Sequence, residues 1–412
     1  MEKLRSNLFF ILCLLLIAGL FLIDVIRILP SLSMAGLVVL GIFYWLQKQG
    51  LNQDKSKIPY YLLTLCFWIL LPSYFYSSNT NYWMQKIQIA IPFLLLPLAF
   101  IKIPALSRIR YLQVLAFFVG GTFLISGYAF LNYLANQSVI NQMYLESKVM
   151  PTLVSHHPTY SLMNVFAIYL CYYLLQEKET IIFKKEKPVL LFVGAFLFIF
   201  VHVFSVRSGL LSLYILIGLE ILNLIFQKKQ IKLAIYIGIS LLSIGLATLY
   251  LSPTVSNKIT NTTKDIQSMN SEGSANNQSL SSRIISYQNA LQINQSTNIW
   301  LGCGLGDIED LNLQIFAEKH PDVSKPIIPH NQFLYYLAAI GVIGLVLFII
   351  GFFGPLLIQK AYKNTILSTH LLLSFLYFLV ESPLVTQIGV AYVLSFYLLA
   401  IHQHLSEPTS SE

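Results

Sequence analysis

Charged side chains are scarce in this sequence. Asp, Glu, Lys and Arg make up 11% of 412 residues, where a soluble chain carries about 25%. With 56% hydrophobic residues, that scarcity excludes an ordinary soluble domain and points to a chain that crosses a membrane many times. Cysteine is scarce too. Cys13, Cys66, Cys171 and Cys303 show neither CxxC nor Cys/His ligand spacing. Three of them lie in apolar runs, where a free Cys behaves as a small hydrophobe. Neither a disulfide framework nor a zinc site is expected. No Walker A motif supports ATP hydrolysis. No DxD pattern is placed to hold a metal-bound nucleotide sugar. The carboxylates are too scattered to make a glycosidase pair, and no GxSxG element occurs. No small-residue cleavage site follows the first apolar run, which therefore reads as a retained anchor behind Lys3 and Arg5.

What the sequence does have is long apolar runs. They fall near 8–25, 31–47, 59–77, 84–101, 111–134, 159–175, 189–205, 209–226, 233–251, 331–357, 365–380 and 384–401. The fold class they give is an all-α polytopic membrane protein of about twelve transmembrane helices. Lys and Arg set its orientation. The segments between alternate runs collect Lys48, Lys55, Lys102, Arg108, Lys184, Lys228 and Lys360, whereas the short segments on the other side hold only Arg27, Lys86, Lys148 and Arg207. That asymmetry puts both termini in the cytoplasm. The net charge of +8 is thus mostly a topology signal, and no nucleic-acid partner is expected. The chain divides into helices one to nine (1–251), a large, partly helical outer loop (252–330), and helices ten to twelve with a cytoplasmic tail (331–412). A shorter outer loop spans 135–158. A transporter built of two parallel halves would show internal repetition, and none is found.

The large loop is uneven. Its part 261–279 is polar, with little to bury. "LSSRIISYQNALQINQ" (280–295) repeats Leu280, Ile284, Tyr287 and Leu291 at helical spacing, with Ser281 or Ser282 as a cap. "NIWLGCGLGD" (298–307) is a Gly-rich turn without GxGxxG spacing. The stretch 307–320 reads as a second amphipathic helix through Ile308, Leu311 and Ile315, capped by Asp307 and ended by Pro321.

Four places carry candidate chemistry. His330 and Asn331 open a membrane-length run: either a polar pair at an interface, or a general base with its neighbour, since an imidazole titrates near neutrality. Arg207, in "FSVRSGLLSLY" (204–214), lies at a break between two apolar runs. It either snorkels to the interface or offers its planar fork of donors to a phosphate. Arg283 is the one Arg of the large loop; it is a solvated helix residue or a partner of Arg207 and His330 on the same outer side. His156 and His157, in "SHHPTYSLM" (155–163), open the sixth run. They lack a third ligand at useful spacing, so a structural or acceptor-contacting role is expected rather than a metal. Lys86, Asp24 and Arg27 at the outer edge read as interface anchors.

In order, "SVRSGLL", "SSRIISYQNAL", "NIWLGCGLGD" and "HNQFLYYLAAIGVIGL" resemble the O-antigen ligase / O-antigen polymerase superfamily of bacterial envelope enzymes. The resemblance implies glycosyl transfer at the periplasmic face of the bacterial inner membrane, with no metal, nucleotide or other cofactor. The implied donor is a glycan on undecaprenyl pyrophosphate, and the ligase acceptor is a sugar hydroxyl of lipid A-core. It gives Arg207 and Arg283 the donor pyrophosphate and His330 the role of base, with inversion by direct displacement. One dominant outer loop late in the chain favours the ligase over the polymerase. A lipid-linked sugar transporter is the alternative of a different class.

Overall fold

A computed structural model describes residues 2–47, 57–146, 148–251, 279–319 and 327–406, with Thr260 and Thr263. Most of the polar stretch 261–279, and Pro321, lie outside the described residues. Among the described residues there are fifteen α-helices and no β-strand. They are α1 (Glu2–Leu22), α2 (Ile28–Leu46), α3 (Ile58–Trp68), α4 (Thr80–Phe100), α5 (Arg108–Ala135), α6 (Gln137–Leu145), α7 (His157–Leu175) and α8 (Glu186–Phe204). There follow α9 (Arg207–Phe226), α10 (Ile231–Leu251), α11 (Ser279–Ser296), α12 (Ile308–Lys319), α13 (Gln332–Phe353), α14 (Thr365–Val380) and α15 (Gln387–Ser406). Each apolar run of the sequence coincides with a helix. Nine helices among the described residues are long and apolar enough to cross a membrane. The chain is an all-α, multi-pass membrane protein.

The helices form two compact units. The first comprises residues 1–118, 179–183 and 282–412, and the second comprises 119–178 and 184–281. At the centre of the first unit is α15, mostly apolar and almost wholly buried. Lipid is as apolar as Leu, so side-chain packing and interhelical hydrogen bonds hold such a helix rather than a hydrophobic drive. Tyr60 on α3 and His402 on α15 supply one such bond, at 2.6 Å.

The run 331–357 is not one straight helix. Gly341 has φ 65° and ψ −170°, a conformation open to glycine almost alone. There α13 folds back. Phe333 and Phe348 would be about 22 Å apart on a straight helix, yet their rings lie 6.2 Å apart, and Tyr336 packs on Phe348 at 4.8 Å. The fold-back frees backbone groups, and the Gly-rich turn takes them up. Cys303 and Gly304 donate N–H bonds to Ala338 and Ala339 carbonyls, both at 2.9 Å. Val342 and Ile343, whose helical acceptors would be those same carbonyls, donate instead to Ile299 and Trp300. Asn294 Nδ2 donates to the Leu337 carbonyl at 2.9 Å. In a membrane such pairing is obligatory.

Three loop expectations change. Helix α11 begins at Ser279, so Ser281 and Ser282 lie inside it rather than at its cap. Its buried face is Ser286, Asn289, Ala290, Ile293 and Asn294, while Leu291 is exposed. Polar side chains turn inward there because each finds a partner: Asn294 the Leu337 carbonyl of broken helix α13, Asn289 the Asn312 side chain on α12, and Ser286 the Arg283 carbonyl of its own helix. Asp307 precedes α12 as expected, but its carboxylate accepts N–H bonds from Ser78 and Asn79 at 2.8–2.9 Å, tying the loop to the start of α4. On α12, Ile308 and Ile315 are buried as expected, together with Asn312 and Phe316, and Leu311 is only half-buried. The shorter loop contains a helix of its own, α6.

Candidate active site

His330 stands two residues before α13, next to its cap Asn331, and its backbone is held on both sides. Its N–H points at Ser286 Oγ at 3.4 Å, and its carbonyl accepts from Tyr287 O–H at 2.9 Å. The same hydroxyl reaches the Leu379 carbonyl at 3.1 Å. Asn331 caps α13. Its Oδ1 accepts from Phe333 and Leu334 N–H at 3.0 Å, and its Nδ2 donates to Leu379 at 3.0 Å. Gln332 continues the strap, donating its N–H to the Glu381 carbonyl and accepting Leu384 N–H on its side chain. Ser382 Oγ closes it on the Pro329 carbonyl. The start of α13 and the turn after α14 are thus one rigid assembly.

Glu381 is the residue that sequence reasoning missed. It ends α14, and its side chain is only 7% exposed. One oxygen, Oε2, lies 2.6 Å from His330 Nδ1, and Oε1 accepts from Arg283 Nη2 at 2.7 Å. A carboxylate this buried needs such partners. A carboxylate can only accept, so in this arrangement the Nδ1 proton faces Glu381 and Nε2 is the ring nitrogen left for another partner. Arg283 reaches Glu381 from the first turns of α11, and its fork has further N–H groups for an anion. Burial pushes the Tyr287 phenol above its usual range; nearby Arg283 pulls it down and Glu381 raises it. It therefore keeps the proton it donates to the His330 carbonyl. The signal for Glu381 was present: a lone carboxylate in "VESPLV", between the last two apolar runs and on the side predicted for His330.

Arg283, His330 and Asn331 come together around Glu381 in the first unit. Arg207, His156 and His157 belong to the second. Arg207 is the first residue of α9, directly after a bend at Ser205, whose φ is 49°. A side chain at Gly209 would collide with Ser161 on α7, so the glycine of "SVRSG" lets these helices touch. His156 caps α7, its Nδ1 2.8 Å from Thr159 Oγ1. The His157 ring packs edge-on against Phe204 at 5.8 Å. Among the described residues, no three His, Cys, Asp or Glu side chains are grouped as a metal site requires.

Residues 190–349 match the family model for O-antigen ligase. That segment contains Arg207, Arg283, His330 and Asn331; Glu381, His156 and His157 lie outside it. No curated protein matches the chain.

Proposed function

We propose, from the premise that this chain is a member of the O-antigen ligase superfamily through residues 190–349, that it transfers a glycan from undecaprenyl pyrophosphate to a sugar hydroxyl of lipid A-core. The observation that carries the reading is the bonded set Arg283–Glu381–His330. Nε2 of His330 takes the proton of the acceptor hydroxyl as that oxygen attacks the anomeric carbon. The bond from that carbon to the pyrophosphate oxygen breaks, and the electron pair leaves with the lipid pyrophosphate. Attack opposite the leaving group inverts the centre. Arg283 meets the charge that develops on the phosphates, most effectively where water is excluded. Glu381 orients the ring and balances the imidazolium as it forms, the work a carboxylate does for histidine in a catalytic triad. Arg207 takes the second phosphate contact on the strength of its motif. The leaving group is already good, so one base and two clamps suffice without a metal. His156 and His157 support the fold around α7.

The proposed setting is the bacterial inner membrane, with both termini cytoplasmic and the site periplasmic. The Lys and Arg asymmetry supports it. Both lipid-linked substrates are confined to that leaflet, so their reacting atoms meet at its surface. A lipopolysaccharide gel from a deletion strain tests the acceptor. Loss of all ladder bands, with lipid-linked polymer accumulating, is the expected result. A core bearing a single repeat would make the protein a polymerase. An unchanged gel would remove both.

A further inference from the structure

The apex of the α13 fold-back carries an apolar surface that the transfer chemistry does not use. Ile299, Trp300 and Leu301 are exposed there, Trp300 by 59%. They come from a loop that composition alone places outside the membrane. Beside them stands the 3-10 turn Leu71–Tyr76, with Tyr74 exposed and Phe75 exposed by 88%. The two segments are far apart in sequence but welded together. Tyr76 O–H donates to the Leu301 carbonyl at 2.8 Å, Gly306 N–H to Ser77 Oγ at 3.1 Å, and Asp307 accepts from Ser78 and Asn79. A free loop would not hold large apolar side chains outward so firmly.

We infer that this prong is an anchor seated in the lipid headgroup layer, and that its partner is the bilayer itself. Two features of the first unit argue for lipid rather than a protein. The first is continuity. Ile343 N–H is bonded to the Trp300 carbonyl, and exposed Ile343, Val346 and Ile350 on α13, then Leu357 in the 3-10 turn after it, continue the apolar surface. The second is length. The second half of α13 and the 3-10 turn that follows run about 24 Å from Val342 to Leu357, before the backbone leaves helical geometry at Ile358–Lys360; that is most of the roughly 30 Å of bilayer hydrocarbon. Lys360 and Lys363 mark one end of that path, and the prong marks the other. Trp and Tyr at one interface and Lys at the opposite one are the usual anchors of a spanning element. The first half of α13 then leads from the prong back to His330, about 13 Å along its axis. The anchor so fixes where Arg283 and His330 stand relative to the leaflet that carries the substrate.

Depth-resolved quenching tests this. The full chain is reconstituted in phosphatidylcholine vesicles with bromine near the carbonyl end or near the terminus of the acyl chain. Trp300 is read in the sole-tryptophan variant (W45F, W68F, W83F). It is read independently as the difference between wild type and W300F, which does not require the triple variant to fold. The expected result is loss of Trp300 emission with the shallow bromine, less loss with the deep bromine, and none with aqueous iodide. Quenching by iodide without quenching by either lipid would overturn the proposal and leave the prong as a surface for another protein. Stronger quenching by the deep bromine would overturn its place in the headgroup layer.

Discussion

Glu381 and His330 act as a unit in this account, so their substitutions should not add. Glu381→Gln keeps the shape but lets an amide favour the wrong tautomer. It should lower turnover by about 10²–10⁴-fold, the usual worth of general base catalysis, while donor binding persists. The double variant with His330→Ala should be little worse than either single change; an additive loss would separate their roles. Arg283→Ala and Arg207→Ala should weaken donor binding as well as turnover, and Arg207→Lys should restore only part, since an ammonium lacks the bidentate fork. Cys303 offers a check outside catalysis. Burial, with Asp307 nearby, pushes its thiol up to about 12. The thiolate is the reactive form, so a raised value means little reactivity below that pH. At pH 8 about one thiol in ten thousand is ionised, and iodoacetamide should label Cys303 far more slowly than an exposed cysteine; rapid labelling would contradict the burial. His330 was legible in the sequence because titratable side chains are rare at the edges of apolar runs, and Arg283 because it is the one Arg of the large loop. Glu381 was equally rare, but it belongs to no motif, and only the turn after α14 brings it to His330.

Helix existence follows from apolar length alone, which is why each run of the sequence coincides with a helix. Helix shape does not follow from length. The two halves of α13 read as one continuous apolar run, so nothing in their composition announces that the chain doubles back at Gly341. The inward polar face of α11 was hidden for a related reason: Asn294 is buried because a broken helix elsewhere leaves the Leu337 carbonyl open to it. Glycine is the test of both close contacts. Gly341→Ala adds strain at positive φ and a collision with Trp300. It should cost at least about 2 kcal/mol, read as a lower unfolding temperature in detergent. Gly209→Ala should destabilise the α7–α9 contact, and Ser161→Gly in the same chain should restore much of the loss, because the colliding atoms belong to Ser161. No restoration would mean that α9 is held away from α7 by something else.

For the molecule as a whole, composition announces a multi-pass membrane protein, and the basic residues predict which way it faces. A cysteine at Gly273 in a cysteine-free variant should react with an impermeant thiol reagent in spheroplasts, and one at Lys185 should not; the reverse pattern would turn the site toward the cytoplasm. The division into two compact units was not legible, because it cuts through α5 and joins residues 1–118 to 282–412, a pairing set by tertiary packing rather than by any linker. Chemistry at the membrane surface with one base and two arginine clamps is the central claim. Its most direct test is single-turnover transfer from undecaprenyl-pyrophosphate glycan at saturating donor, in chelator and without ATP, comparing wild type with a monodisperse His330→Ala variant. Wild type should transfer under these conditions, and the variant should bind donor normally yet transfer about 10²–10⁴-fold more slowly. Near-normal turnover by His330→Ala, or wild-type activity that returns only with a divalent ion, would contradict it.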